Sequence, residues 1–405
     1  MEKKKNTPKL RFPEFTGEWE EKKLGEIAEK VNSGKTPLGG ESVYVDKGIL
    51  FIRSQNVFDN KLSLENATFI TEETNSTMEN SIVKSKDILL NITGASLGRS
   101  CVVPENFIVG NVNQHVCIIR LNKDNEPYFF QPIFASEKGQ NLFKSLQVGG
   151  GREGLNFQSI RGITLYQPPL SEQTKIATFL TAVDEKLTQL KKKKTLLEQY
   201  KKGVMQKLFS QELRFKDDNN QDFPDWEEKK LGEMGTFFSG GTPLTTKKIY
   251  YEGNIPFIRS GEINSDKTEL HISELGLVNS SAKIIEIGDL IYALYGATSG
   301  EVAISKIRGA INQAILCIRT SMINQFLCNY LILKKDIILS TYLQGGQGNL
   351  SADIIKSLII PHPSLPEQVK IANFLSAIDE KISHCSAQIE KMEAWKKGLL
   401  QQMFC

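Results

Sequence analysis

GGGREG at residues 149 to 154 has the GxGxxG spacing with which a turn between strand and helix cradles a dinucleotide pyrophosphate. No strand-to-helix context frames it, and the matching segment later in the chain is QGGQGN, so the stretch reads as a glycine-rich loop. GKT at 34 to 36 resembles the end of a P-loop, but that motif's first glycine falls on Glu29. QPPL at 167 to 170 has the shape of a box that holds a flipped adenine, yet Gln167 and Leu170 supply the wrong groups. PDWEEK at 224 to 229 contains the letters of a nuclease motif with its carboxylates too close together. His115, His271, His362 and His384 form no HExxH and have no cysteine at ligand spacing, which argues against zinc. No nucleophile elbow frames a serine. None of these motifs is complete, and the expectation is a chain that catalyses nothing itself and binds no cofactor or metal.

At 405 residues, with 40% hydrophobic and 24% charged residues, the chain can hold two or three globular domains. A formal net charge of +3 is slight for this length, so a nucleic-acid surface would have to be a local concentration of polar and basic groups. Six cysteines form no CxxC pair and lie mostly in apolar runs, as buried thiols do in a reducing compartment. MEKKKNTPKLRFPEF is followed by no apolar core of signal-peptide length, and no stretch is long and apolar enough to span a bilayer. The expected location is the cytoplasm, with no membrane partner.

The elements of the chain come in two copies. EWEEKKLGEI (18 to 27) returns as DWEEKKLGEM (225 to 234), SGKTPL (33 to 38) as SGGTPL (239 to 244), and FIRS at 51 recurs at 257. DILLNITGASLG (87 to 98) matches DLIYALYGATSG (289 to 300), and Asn113, Gln114 and Arg120 match Asn312, Gln313 and Arg319. EQTKIATFLTAVDEK (172 to 186) matches EQVKIANFLSAIDEK (367 to 381) in the same order. A period near 200 residues means that each copy is a whole domain with an appendage, not a solenoid unit. Short β-branched and aromatic runs broken by Gly, Asn and Pro predict strand-rich α/β domains.

Each appendage is a long helix with coiled-coil spacing. In the first, Leu180, Val183, Leu187, Leu190 and Leu197 alternate at steps of three and four; in the second, Leu375, Ile378, Ile382, Ile389 and Met392 do the same. Lys194, Lys201 and Lys396 fall on the seam, where they weaken a coil but fix its register. KLRF opens the chain at 9 to 12 and LRF follows the first helix at 213 to 215, so the end of the chain should return to its beginning. The predicted fold is α+β: two similar mixed α/β domains on two long antiparallel coiled-coil helices, related by a pseudo-two-fold axis. Its predicted parts are an N-terminal tail (1–17), a first globular domain (18–165), a central helix (166–212), a second globular domain (213–360) and a C-terminal helix (361–405).

PPLSEQTKIATFLTAVDEK and PSLPEQVKIANFLSAIDEK, each opening a long helix after a globular domain, closely resemble the specificity subunits of Type I restriction-modification systems. The resemblance spans nearly the whole chain. It implies that each domain is a target recognition domain reading one half of a bipartite asymmetric site in double-stranded DNA, while the helices set the spacing. It also implies two methyltransferase (M) subunits docked on the helices and carrying S-adenosylmethionine, and restriction/translocase (R) subunits adding ATP- and Mg-dependent translocation and cleavage. Arg, Asn and Gln suit paired hydrogen bonds to guanine and adenine edges. The candidates are Lys35, Thr36, Arg53, Gln55, Asn56, Arg152 and Asn156 in the first domain, and Thr242, Arg259, Asn264, Gln347 and Asn349 in the second. Arg53 and Arg259 match between copies, which favours a role in structure or on phosphate over base reading. The alternative is a free-standing repressor with two DNA-reading heads and no enzymatic partner.

Overall fold

The structure is a computed structural model that describes residues 6–147, 154–342 and 349–404. Arg152 and Gln347 lie outside the described residues. The chain divides into two units, residues 1–191 with 388–405, and residues 192–387.

In the first unit, the apolar runs around residues 30, 90, 100 and 118 form a four-stranded antiparallel sheet in the order Ala28–Ser33, Val116–Leu121, Ile88–Asn91, Ser100–Val102. A second sheet runs Thr68–Ile70, Ile49–Ile52, Gly110–Val112, Ile82–Val83, with a parallel central pair. Ile88 and Leu90 side chains join one core with Val31, Cys117 and Ile119, while Leu89 joins the other with Ile52, Val112 and Ile118. That split follows from the two-residue period of a strand buried on both faces. Glu20–Lys23 pairs with Thr164–Gln167, bringing the domain's first and last strands together.

The second unit repeats this topology strand for strand. Its antiparallel sheet runs Gly235–Ser239, Ile315–Thr320, Leu290–Ala293, Val302–Ile304. Its mixed sheet runs His271–Ile272, Ile255–Ile258, Gly309–Ile311, Lys283–Ile285. Glu227–Lys230 pairs with Ile359–His362. PDWEEK, which contains the letters of a nuclease motif, thus contributes most of a strand. Only the first unit has the Val57–Phe58 and Lys61–Leu62 ribbon among the described strands, its turn made by Asp59 and Asn60 at positive φ.

The long helices are Leu170–Phe209 and Leu365–Gln402. They start later than the sequence boundaries at 166 and 361 because the preceding residues complete the edge strands; prolines at 168, 169 and 363 then separate strand from helix. Along the seam, Leu180, Val183, Leu190, Leu375 and Ile378 are buried, and Leu187, Leu197, Ile382, Ile389 and Met392 are half-buried. Within the first unit the helical segments run in opposite directions, with Asp184 paired to Lys396 and Lys191 to Glu393. The second unit carries the matching bond, Lys201 to Asp379 at 2.7 Å. Of the three seam lysines, Lys396 and Lys201 therefore find the aspartate of a VDEK or IDEK run, while Lys194 pairs with Glu198 on its own helix.

The N-terminal residues expected as a tail are built into the first unit. Arg11 makes a two-bond ion pair with the fully buried Glu172 at 2.7 Å and also donates to the Thr16 and Gly17 carbonyls. Leu10 N–H donates to the Gln402 carbonyl at 2.9 Å, so the last helix ends against the first described residues. In the second unit Arg214 repeats the clamp on buried Glu367 and on the Phe223 and Pro224 carbonyls. The neighbouring glutamines are buried too. Gln173 accepts from Glu126 N–H and donates to the Pro168 carbonyl; Gln368 accepts from Ile323 N–H and donates to the Pro363 carbonyl. The Glu-Gln of the helix-opening motif is thus a lock between helix, domain and LRF segment. The described cysteines are buried, and burial pushes the Cys101 and Cys117 thiols up to about 12. No helix among the described residues is long and apolar enough to cross a membrane.

Candidate nucleic-acid interface

The SGKTPL and NQ motifs meet because a glycine lets them. A Cβ on Gly34 would lie 1.6 Å from the Val112 carbonyl oxygen, and one on Gly240 1.8 Å from that of Ile311. Only glycine permits this approach, and the backbone fixes it: Gly34 N–H donates to Asn113 O at 3.2 Å and Gly240 N–H to Asn312 O at 3.3 Å. Each asparagine then turns the chain by accepting, at its side-chain oxygen, the N–H of His115 or Ala314.

The result is an exposed pair in each unit. Thr36 Oγ1 donates to Gln114 Oε1 at 2.6 Å, and Thr242 Oγ1 to Gln313 Oε1 at 2.7 Å. With its oxygen occupied, each glutamine is set to offer its amide N–H groups. In the first unit Gln114 Nε2 lies 3.1 Å from His115 Nε2, and His115 Nδ1 lies 2.6 Å from Thr93 Oγ1. A neutral imidazole protonated on Nδ1 satisfies both contacts. In the second unit Ala314 replaces the histidine and Tyr295 the threonine; burial raises the Tyr295 phenol, partly offset by its hydrogen bond with Gln313. A depression of about 410 Å³ opens beside this network in the first unit, lined by Ser54, Gln55, Thr93, Ser96, Arg99 and His115.

The sequence-derived candidates divide by what their side chains do. Lys35, Thr36 and Gln55 are exposed on this face, as is Thr242 in the second unit. Asn56 is a correction: it is 1% exposed, accepting from Arg53 N–H and donating to the Ser63 carbonyl, so it holds a turn and faces no partner. Its counterpart Glu262 accepts from Arg259 N–H in the same way. Arg259 is clamped between Glu262 at 3.1 Å and Glu269 at 2.7 Å, which raises its pKa. The Glu262 carboxyl, which burial alone would raise, is held down at about 2 by Arg259 and by backbone donors. Arg53 is half-buried with its guanidinium over the Tyr44 ring. Asn156 caps a short helix through Ser159 N–H. Asn264 and Asn349 are exposed, and the Asn264 carbonyl accepts from Lys306. Gln114, Gln313, Thr93, Arg99 and His115 were absent from the candidates, although the recurring NQ and the TGAS/YGAT pair marked their positions.

The comparisons with known proteins fit this architecture. The family model described as the Type I restriction modification DNA specificity domain matches residues 16–199 and again 224–394. A Methanocaldococcus jannaschii chain named provisionally as the type I restriction enzyme MjaX specificity subunit is 25% identical over 98% of this chain and 95% of its own length. The Escherichia coli EcoR124I/EcoR124II specificity subunit is 27% identical over 38% of this chain and 41% of its own. Among solved structures, the Type I restriction-modification system S subunit from M. genitalium superposes with a TM-score of 0.65 at 16% identity, covering 98% of this chain and 99% of that one. A chain from a study of complex assembly and conformational transition of the type I R-M system gives 0.58 at 18% identity, covering 95% and 97%. A protein built from two copies of one recognition domain on long helices is the class that this fold defines. The chain belongs to the type I restriction-modification DNA specificity family.

Proposed function

We propose that this chain is the DNA-reading subunit of a type I complex, each unit specifying one half of a bipartite asymmetric target. The observation that carries the reading is the duplicated Thr-Gln frame. It presents the same exposed amide from the same topology in both units, while the residues around it differ. A shared frame suits contacts to phosphate and sugar, which carry no sequence information, and differing neighbours suit contacts to bases. In this reading the long helices set the unread spacer and dock two methyltransferase subunits. Those partners supply S-adenosylmethionine and catalysis, and the restriction/translocase subunits supply ATP- and Mg-dependent work. Family membership favours this over the free-standing repressor.

The test is methylome sequencing with the cognate methyltransferase subunit, with and without this chain. A bipartite methylated motif should appear only when both are present. Exchanging residues 18–165 for the domain of a relative should change one half of the motif alone. Radiolabelled methyl transfer by the purified chain, or a change in both halves on exchange, would refute the reading.

A further inference from the structure

The two units share their frame, so positions where the frame is kept and the side chain changes are where their specificities must differ. Four such positions gather at the depression of the first unit. Gln55 there corresponds to Gly261 in the second unit, Thr93 to Tyr295, His115 to Ala314 and Arg99 to Glu301. The last reverses charge. Glu301 is tied to Lys335, whereas Arg99 is exposed and has no carboxylate partner among the described residues. Its guanidinium lies 5.4 Å from the centroid of the Phe58 ring, itself 57% exposed on the ribbon that has no counterpart among the described strands of the second unit. An aromatic face holds a guanidinium in place without using up its N–H donors.

Resting on the DNA-reading assignment, we propose that Arg99 is a specificity-determining residue of the first unit and reads a guanine, donating two parallel N–H bonds to its N7 and O6 in the major groove. Phe58 pre-orients the fork, and Gln55 and His115 lie beside the same base step. Glutamate at the matching position of the second unit cannot donate to guanine, so that unit specifies its half by other groups. An arginine acting on phosphate would give affinity without base preference, and this separates the two roles.

The experiment uses the full chain assembled with its methyltransferase subunits and a duplex library randomised across both half-sites, with bound DNA sequenced. The half belonging to the first unit is the one altered by exchanging residues 18–165. Wild type should select a guanine in that half. Arg99→Ala should lower the preference for it about tenfold or more, leaving every preference in the other half intact, which also reports that the complex is folded. Arg99→Glu, Gln55→Gly and the pair Thr93→Tyr with His115→Ala install residues that this fold already carries in its second unit. Arg99→Glu should abolish the guanine preference, and the other two should relax only that half. Unchanged preference in Arg99→Ala overturns the inference, as does weakening that is uniform across sequences with a shallower salt dependence. A wild-type complex that selects no bipartite site would remove the function assignment itself; a normal site indifferent to Arg99 would remove this inference alone.

Discussion

Glu172 and Glu367 are fully buried carboxylates, and each is paired: two bonds from an arginine, with a third at Glu367 from the Trp226 indole N–H at 2.9 Å. A buried pair broken from one side leaves an uncompensated charge. Arg11→Ala should therefore destabilise the first unit by about 3–5 kcal/mol, read as loss of cooperative unfolding at the wild-type denaturant midpoint. Arg11→Met with Glu172→Leu should recover most of that. A smaller effect for the single variant would mean that water reaches Glu172. Glu262 gives the second unit a titratable contact. Its folded carboxyl titrates at about 2 against an ordinary 4.5, so its contribution is complete above about pH 5 and drains away as pH falls towards 2. Between pH 6 and pH 3 the wild type should lose about 2 kcal/mol more than Glu262→Gln, measured by chemical denaturation at each pH. Equal losses would show that Glu262 is not depressed. The sequence made Arg53 and Arg259 look alike; which carboxylates surround Arg259 depends on a turn that brings residue 269 back, and residue order does not show that.

At the scale of elements, the close approach of the glycine loop to the NQ turn positions the candidate interface. Gly34→Ala places a methyl on the Val112 carbonyl and must push the loop away. Strain of this kind costs about 1–3 kcal/mol, and the displaced Thr36 should release Gln114. DNA binding by the assembled complex should fall in the first half-site and hold in the second; equal loss in both halves would mean general unfolding. The helices were legible because their period is local: Leu180 to Leu197 spells out the buried stripe whatever surrounds it. The sheets were legible only as strands. Ile49–Ile52 pairs in parallel with Gly110–Val112, and such a pairing is decided by cores assembled from distant residues. The Thr36–Gln114 bond likewise joins residues 78 apart. The sequence therefore offered Thr36 as a candidate and left Gln114 as one letter of a repeat.

At the scale of the whole molecule, the two long helices are continuous elements of 40 and 38 residues, and each contributes residues to both units. If they measure the distance between the two DNA-reading faces, a matched insertion must change that distance, although it also parts Lys191 from Glu393. One heptad added after Leu190 and one after Cys385 keep the three-four alternation of the seam and lengthen each helix by roughly 10 Å. The Asp184–Lys396 and Lys201–Asp379 bonds lie on either side of both insertion points, so each unit keeps its own seam contact. With base pairs stacked about 3.4 Å apart, the unread gap should grow by about one to three base pairs, the smaller value if the helices lie oblique to the DNA. Insertion in one helix alone breaks the match and should abolish methylation. Methylome sequencing of cells carrying the double insertion with the methyltransferase subunit reads the gap directly. Both half-sites should keep their sequences. An unchanged gap in an active double variant would assign the spacing to the partner subunits, leaving the helices as their docking surface alone.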